Sequence, residues 1–176
     1  MGLFHTNRNW AAFFCRVIIA AIFIPHGMDK LMRLDMFGWE GPEVWAATCT
    51  RLLDFAFIPM AYRPILAQIS AWIEIVAAAS CVLGLLVRLC IIPLMLNMAG
   101  AIALIHWSNG FWSNHTLNGI PAPGFEYPLV IILVCLGLFF SGAGSLSIDK
   151  LVAGDPDFEY EEEYEYDYDY EPAPRR

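Results

Sequence analysis

The stretch Pro64-Ile-Leu-Ala-Gln-Ile-Ser-Ala-Trp-Ile-Glu-Ile-Val-Ala-Ala-Ala-Ser-Cys-Val-Leu-Gly-Leu-Leu-Val-Arg88 is long and apolar enough to cross a bilayer as a helix, yet it carries Glu74 near its middle. At ~1.5 Å per residue Glu74 lies ~15 Å from Pro64, close to mid-membrane. An ionisable side chain at that depth costs at least ~2.5–3.5 kcal/mol unless something pairs or solvates it. Glu74 is therefore expected to face other helices. Cys81 and Arg88 follow it at seven-residue spacing, with Ala77 and Ala78 between, so one small and polar stripe faces inward. A structural carboxylate held by hydrogen bonds is the plain alternative to a functional one.

Composition agrees with a membrane protein. The 176 residues are 58% hydrophobic and 16% charged, with a mean hydropathy of +0.52; soluble domains average roughly 45–50% apolar and about 25% charged. The net charge of −8 belongs to one segment. Residues 1–154 hold eight bases and eight acids, whereas residues 155–176 hold ten acids against Arg175 and Arg176. That tail alternates acids with tyrosine, cannot build a core, and is expected to be disordered. Nothing in this balance points to nucleic acid.

Working outward from the Glu74 helix, three more spans are predicted, at about 11–32, 89–107 and 127–148, with the Glu74 span at 64–87. Together they form an all-α, four-helix transmembrane bundle, taken as one domain over residues 1–154. The first span carries Arg16 near its start and Pro25-His26-Gly27-Met28-Asp29-Lys30 near its end. Residues 34–63 are too apolar for a plain loop and too broken for a span. Pro42 can open a helix there that places Trp45, Cys49, Leu52 and Ala56 opposite Glu43, Thr50, Arg51 and Asp54. It reads as an amphipathic helix lying on the membrane or capping the bundle. Residues 108–125 read as an extramembrane loop, since unpaired backbone does not survive in lipid. Glu126 opens the last span, which runs into Gly142-Ala143-Gly144 and Asp149.

Four spans put both termini on one face. Six bases on that side against four on the other favour cytoplasmic termini. His26, Lys30, His106 and Glu126 then lie toward the outer ends of three helices, with Glu74 one or two turns deeper. Arg16, Arg88 and Asp149 lie toward the inner ends, and Arg16 or Arg88 is expected to pair with Asp149. Within the outer group Lys30 and His26 are expected nearest Glu74. The five cysteines show no C-x-x-C spacing, and four lie in apolar stretches where a thiol acts as a small hydrophobe. No metal site is expected. The first apolar run closes on His26, Asp29 and Lys30 instead of a small-residue cleavage site, which speaks against a cleaved signal peptide.

The pattern Arg16…Phe23-x-x-His26-Gly27-x-x-Lys30, Glu74…Gly84-x-x-x-Arg88, His106-Trp107…Gly110-Phe111, Gly124-x-Glu126-Tyr127 and Gly142-Ala143-Gly144…Ser147-x-Asp149 resembles the DoxX family of small four-span bacterial membrane proteins. Ala20 and Ala78 stand where that family often has glycine, and Ser145 where a basic residue often follows. The resemblance implies a multi-pass protein of a bacterial cytoplasmic membrane, in contact with lipid and with a membrane or peripheral protein partner. One branch of the family resembles the small membrane subunit of thiosulfate:quinone oxidoreductase. Two readings follow. In the first, the chain is a subunit of a redox-associated complex whose outer pocket binds a quinone or similar molecule. His26, Glu74, His106 and Glu126 would be its donors, and Phe23, Trp72, Trp107 and Phe111 its slot. In the second, it is a non-enzymatic scaffold whose acidic tail recruits partners. Whether the polar pocket opens to lipid or is closed by side chains separates the two. Haem between His26 and His106 is disfavoured, because a histidine at a membrane end is more often an interfacial hydrogen-bonder.

Overall fold

The computed structural model describes residues 9–32, 41–53, 58–117 and 119–153. Expectations for Asp54, Ala56 and the acidic tail fall outside these residues. Among these residues there are six α-helices: α1 (Trp10–Met32), α2 (Pro42–Leu52), α3 (Arg63–Leu83), α4 (Val87–Ala101), α5 (Glu126–Ser141) and α6 (Ile148–Ala153). Two-residue strands β1 (Thr116–Leu117) and β2 (Ile120–Pro121) pair antiparallel in the α4–α5 loop. The α1, α3 and α4 segments are long and apolar enough to cross a membrane, and α5 is a shorter apolar helix of 16 residues. They form an all-α transmembrane bundle, with α2 as its amphipathic addition.

The helix ends follow from local chemistry. Asn9 opens α1 by accepting the amide N–H of Ala11 through its side chain at 2.9 Å. Pro64 sits in the first turn of α3, where a missing N–H costs nothing. Gly84 closes α3 with φ +64°, donating its N–H to Ser80 O. The expected span 64–87 is therefore helical only to Leu83, and α4 starts two residues earlier than 89. Beyond Ala101 the α4 helix widens into a π turn (Ile102–His106) and tightens into a 3-10 turn (Trp107–Asn109). The expected fourth span also ends early. Helix α5 stops at Ser141, and residues 142–147 form a loop that is buried except at Leu146, because Gly142 and Gly144 take φ +79° and +72°, which an α-helix does not contain.

The core runs along the bundle axis. Ile19, Ala20 and Phe23 of α1 meet Ala77, Ala78 and Cys81 of α3, Ile91 and Leu94 of α4, and Ile131, Cys135 and Leu138 of α5. Helix α1 packs most extensively on α3, and α4 on α5. In lipid this association rests on close van der Waals contact more than on hydrophobic transfer, and small residues permit that contact. Gly27 shows the tightness: a Cβ there would lie 2.7 Å from Ile75 Cγ1. A separate small cluster joins Trp45 and Cys49 of α2 to Ala67 and Ala71 of α3. Its Trp45, Cys49, Leu53 stripe is buried while Glu43 and Arg51 face out, so α2 caps the bundle against α3.

Candidate functional site

Two polar sites lie at opposite ends of the bundle. At the end where α2 sits, Lys30 Nζ donates to both carboxylate oxygens of Glu74, at 2.6 and 2.7 Å. Helix α1 delivers Lys30 from its last turn, and α3 holds Glu74 about halfway along its length. Asn97 of α4 adds a longer contact to Glu74 Oε1, 3.5 Å from Nδ2. Three helices thus converge on one carboxylate. Glu74 is 2% and Lys30 6% exposed. A pair this dry gains little net stability, but loss of either partner strands a charge.

Helix α2 closes the pair. The Trp45 ring lies 4.4 Å from Lys30 Nζ, and its indole Nε1 donates to Ala67 O at 2.8 Å. Gln68 Nε2 reaches Pro42 O, and Arg63 Nη1 reaches Thr50 O, so α3 side chains hold both ends of α2. Burial pushes the Cys49 thiol, on the same face as Trp45, up to about 11. It is a neutral apolar neighbour at physiological pH.

The other expected members of this site have the following surroundings. His26 is half-buried on α1, with Lys30 and Asp29 as its charged neighbours. Asp29 itself is fully buried, and its backbone O accepts from Gly41 N. His106 and Glu126 serve the α4–α5 loop: His106 Nδ1 contacts Pro123 O at 2.8 Å, and Glu126 Oε2 accepts from Ser113 N at 3.1 Å. The aromatic slot is not assembled either. Phe23 is in the core, Trp72 is exposed on the outside of α3, and Trp107 and Phe111 are in the loop. Trp72 instead lines an apolar groove of about 460 Å³ with Ile24, Met28 and Ile75.

At the terminal end, the expected ion pair between Asp149 and Arg16 or Arg88 is replaced by backbone capping. Asp149 Oδ1 and Oδ2 accept the N–H groups of Leu86 and Val87, which open α4. Those amides have no intrahelical acceptor, and the helix dipole favours a carboxylate there. Arg88 donates to Phe139 O and Phe140 O, the closing carbonyls of α5. Arg16 Nη2 donates to Leu146 O at 2.8 Å and Ser145 O at 3.4 Å, which satisfies the buried 142–147 loop. The Arg16 Nε and Nη1 groups have no hydrogen-bond acceptor.

Trp45, Asn97 and Asp29 were not singled out as site residues from sequence. Trp45 could have been found as the aromatic that opens the α2 apolar stripe, and Asn97 as the one amide in an apolar span. Nothing in sequence marks Asp29 as more buried than its neighbours. Among the described residues no group of three or more His, Cys, Asp or Glu has metal-binding geometry.

The fold and its buried pair define an integral membrane protein of the small helical-bundle class. The chain belongs to the DoxX family, whose model matches residues 11–107, more than half of its length. The uncharacterized membrane protein Rv3486 of Mycobacterium tuberculosis is 26% identical over 155 residues, covering 84% of this chain and 85% of that protein. No solved structure matches the chain.

Proposed function

We propose that this chain is an integral membrane subunit of the bacterial cytoplasmic membrane that works as a scaffold, with cytoplasmic termini and an acidic tail that recruits partners. The observation that supports this reading is the closure of the Lys30–Glu74 pair. Both charges are satisfied by each other at 2.6–2.7 Å, with Asn97 beside them and the Trp45 ring over Lys30. A quinone site needs donors free to reach carbonyls and a slot open to lipid. Here the donors are engaged and the slot aromatics point to three different places. The tail, with ten acids in residues 155–176, suits a basic protein surface and is repelled by anionic lipid.

A second reading retains a redox role, in which the pocket takes a quinone or similar small molecule after α2 moves. It is favoured by the number of proton-carrying groups near Glu74: Lys30, Cys49 and Tyr127 all lie within its electrostatic reach. Purification from native membranes decides between the two. The scaffold reading expects a stoichiometric protein partner, lost on truncation after Gly154, and no retained quinone. Stoichiometric quinone that disappears in Glu74→Gln, with assembly intact, overturns the scaffold reading in favour of the redox one.

A further inference from the structure

The loop between α4 and α5 is unlike a solvent loop. From Trp107 to Phe125 it contains no Asp, Glu, Lys or Arg over 19 residues. It also exposes large apolar side chains: Trp107 and Trp112 are 67% and 65% exposed, with Phe111, Leu117 and neighbouring Tyr127 each more than 40%. Water is a poor environment for such a surface, whereas tryptophan and tyrosine concentrate at the membrane–water boundary.

Its backbone is also prepared for a drier setting. Phe125 N donates to Gly110 O, Glu126 N to Phe111 O, Gly124 N to Trp112 O, and Ala122 N to His115 O, all at 2.9–3.1 Å. His106 and Asn109 side chains both meet Pro123 O, and Glu126 takes the Ser113 amide. The rings brace one another, with Trp107 stacked on Phe125 at 5.4 Å and Phe111 edge-on to Phe125 at 5.4 Å. The objection to irregular backbone in lipid is unpaired amides and carbonyls. This loop pairs many of its own.

Length adds an independent reason. The 16 residues of α5 rise ~24 Å, short of the ~30 Å hydrocarbon core. The loop is hydrogen-bonded directly to the first turn of α5, so it sits at the depth where that short helix begins. Leu96 of α4 and Val130 and Leu133 of α5 are likewise more than half exposed.

We infer that the α4–α5 loop is seated in the bilayer, with Trp107, Phe111, Trp112 and Leu117 forming an uncharged aromatic foot in the headgroup and upper acyl region of one leaflet. Its partner is the lipid interface itself, recognised through apolar and aromatic contact and not through charge. This proposal departs from the extramembrane placement expected for residues 108–125.

The test uses the full chain labelled with 5-fluorotryptophan in phosphatidylcholine nanodiscs. Trp107→Phe, Trp112→Phe and Trp72→Phe assign three of the fluorine resonances. Trp72, 56% exposed midway along the α3 helix, is the reference for lipid contact. The Trp107 and Trp112 signals are expected to broaden several-fold more with a lipid carrying a nitroxide near its headgroup than with a water-soluble gadolinium chelate. Stronger broadening by the chelate would show a solvent loop and overturn the inference. Resistance to both reagents would show that protein covers the rings, which overturns it equally.

Discussion

The two ends of this bundle bury charge in different ways. At the α2 end a cation meets an anion: Lys30 and Glu74 neutralise each other and Trp45 covers them. At the terminal end Arg16, Arg88 and Asp149 lie together on adjacent elements, yet the hydrogen bonds described above for each run to backbone groups. The difference comes from what each end has to offer. Glu74 lies about halfway along α3, where backbone groups bond within the helix, so its partners are side chains. The terminal end is where α3 and α5 finish and α4 starts. Free amides and carbonyls abound there, and a charge-assisted bond to a helix end satisfies ion and backbone together.

The sharpest way to break this comparison is to remove one member of the ion pair. Glu74→Leu leaves Lys30 buried without its counter-charge and is expected to cost about 3–5 kcal/mol, with sharply reduced accumulation in the membrane. Adding Lys30→Met to Glu74→Leu is expected to restore most of that loss, measured by thermal unfolding in detergent. A double variant as poor as the single would mean that the pair is not the unit of stability.

At the terminal end the opposite arithmetic applies. Arg88→Ala and Asp149→Ala each remove charge-assisted bonds to backbone, worth about 1.5–3 kcal/mol apiece. Because they cap different helices, their losses are expected to add within about 0.5 kcal/mol. A double variant clearly better than the sum would restore the direct Arg88–Asp149 pair.

Glycine substitutions sharpen the contrast in packing. Gly84→Ala puts a Cβ into Arg16 Nη1 and the Ser147 backbone at φ +64°, and is expected to destabilise by about 1–3 kcal/mol. Gly137→Ala, inside α5 with nothing within 4 Å of the new Cβ, is expected to stabilise by about 0.5–1 kcal/mol. Thermal unfolding of both measures the difference.

A smaller effect belongs to the cover of the ion pair. Trp45→Phe keeps an aromatic ring over Lys30 and loses the bond to Ala67 O, an expected cost of about 0.5–1.5 kcal/mol. Cys49 on the same helix adds a pH dependence that shows only in alkali. Its folded thiol titrates near 11 against an ordinary 9.0, so the unfolded chain releases its proton first. Its contribution is intact below about pH 9 and is lost as pH rises toward about 11. Cys49→Ser should flatten stability across that window and change nothing at neutral pH, as read from unfolding at a series of pH values.

Much of the architecture was legible in sequence because the bilayer restricts the options. Apolar stretches near Ala11–Met32 and Pro64–Leu83 had to be helices, and Glu74 within one of them had to face protein. Helical spacing also brought Lys30 within reach of Glu74. The Trp45–Cys49 stripe identified α2 but could not say whether lipid or α3 covered it. In the 108–125 loop Gly, Pro and Asn point to water, while the absence of charge supports the bilayer seat proposed above, and sequence alone does not choose between them.

By itself, then, the sequence determined the class of protein, the order of its apolar helices and the inward direction of Glu74, since hydropathy and helical period are local properties of the chain. The tertiary structure alone decided what each buried charge touches: that α2 seals Lys30 and Glu74, that Asn97 joins them, that Asp149 caps α4, and that Arg16 and Arg88 bind carbonyls. The physical reason is that a buried charge takes the nearest group able to satisfy it. Which groups are nearest depends on where helices end in space, and a residue list records helix order without recording the distances between their ends.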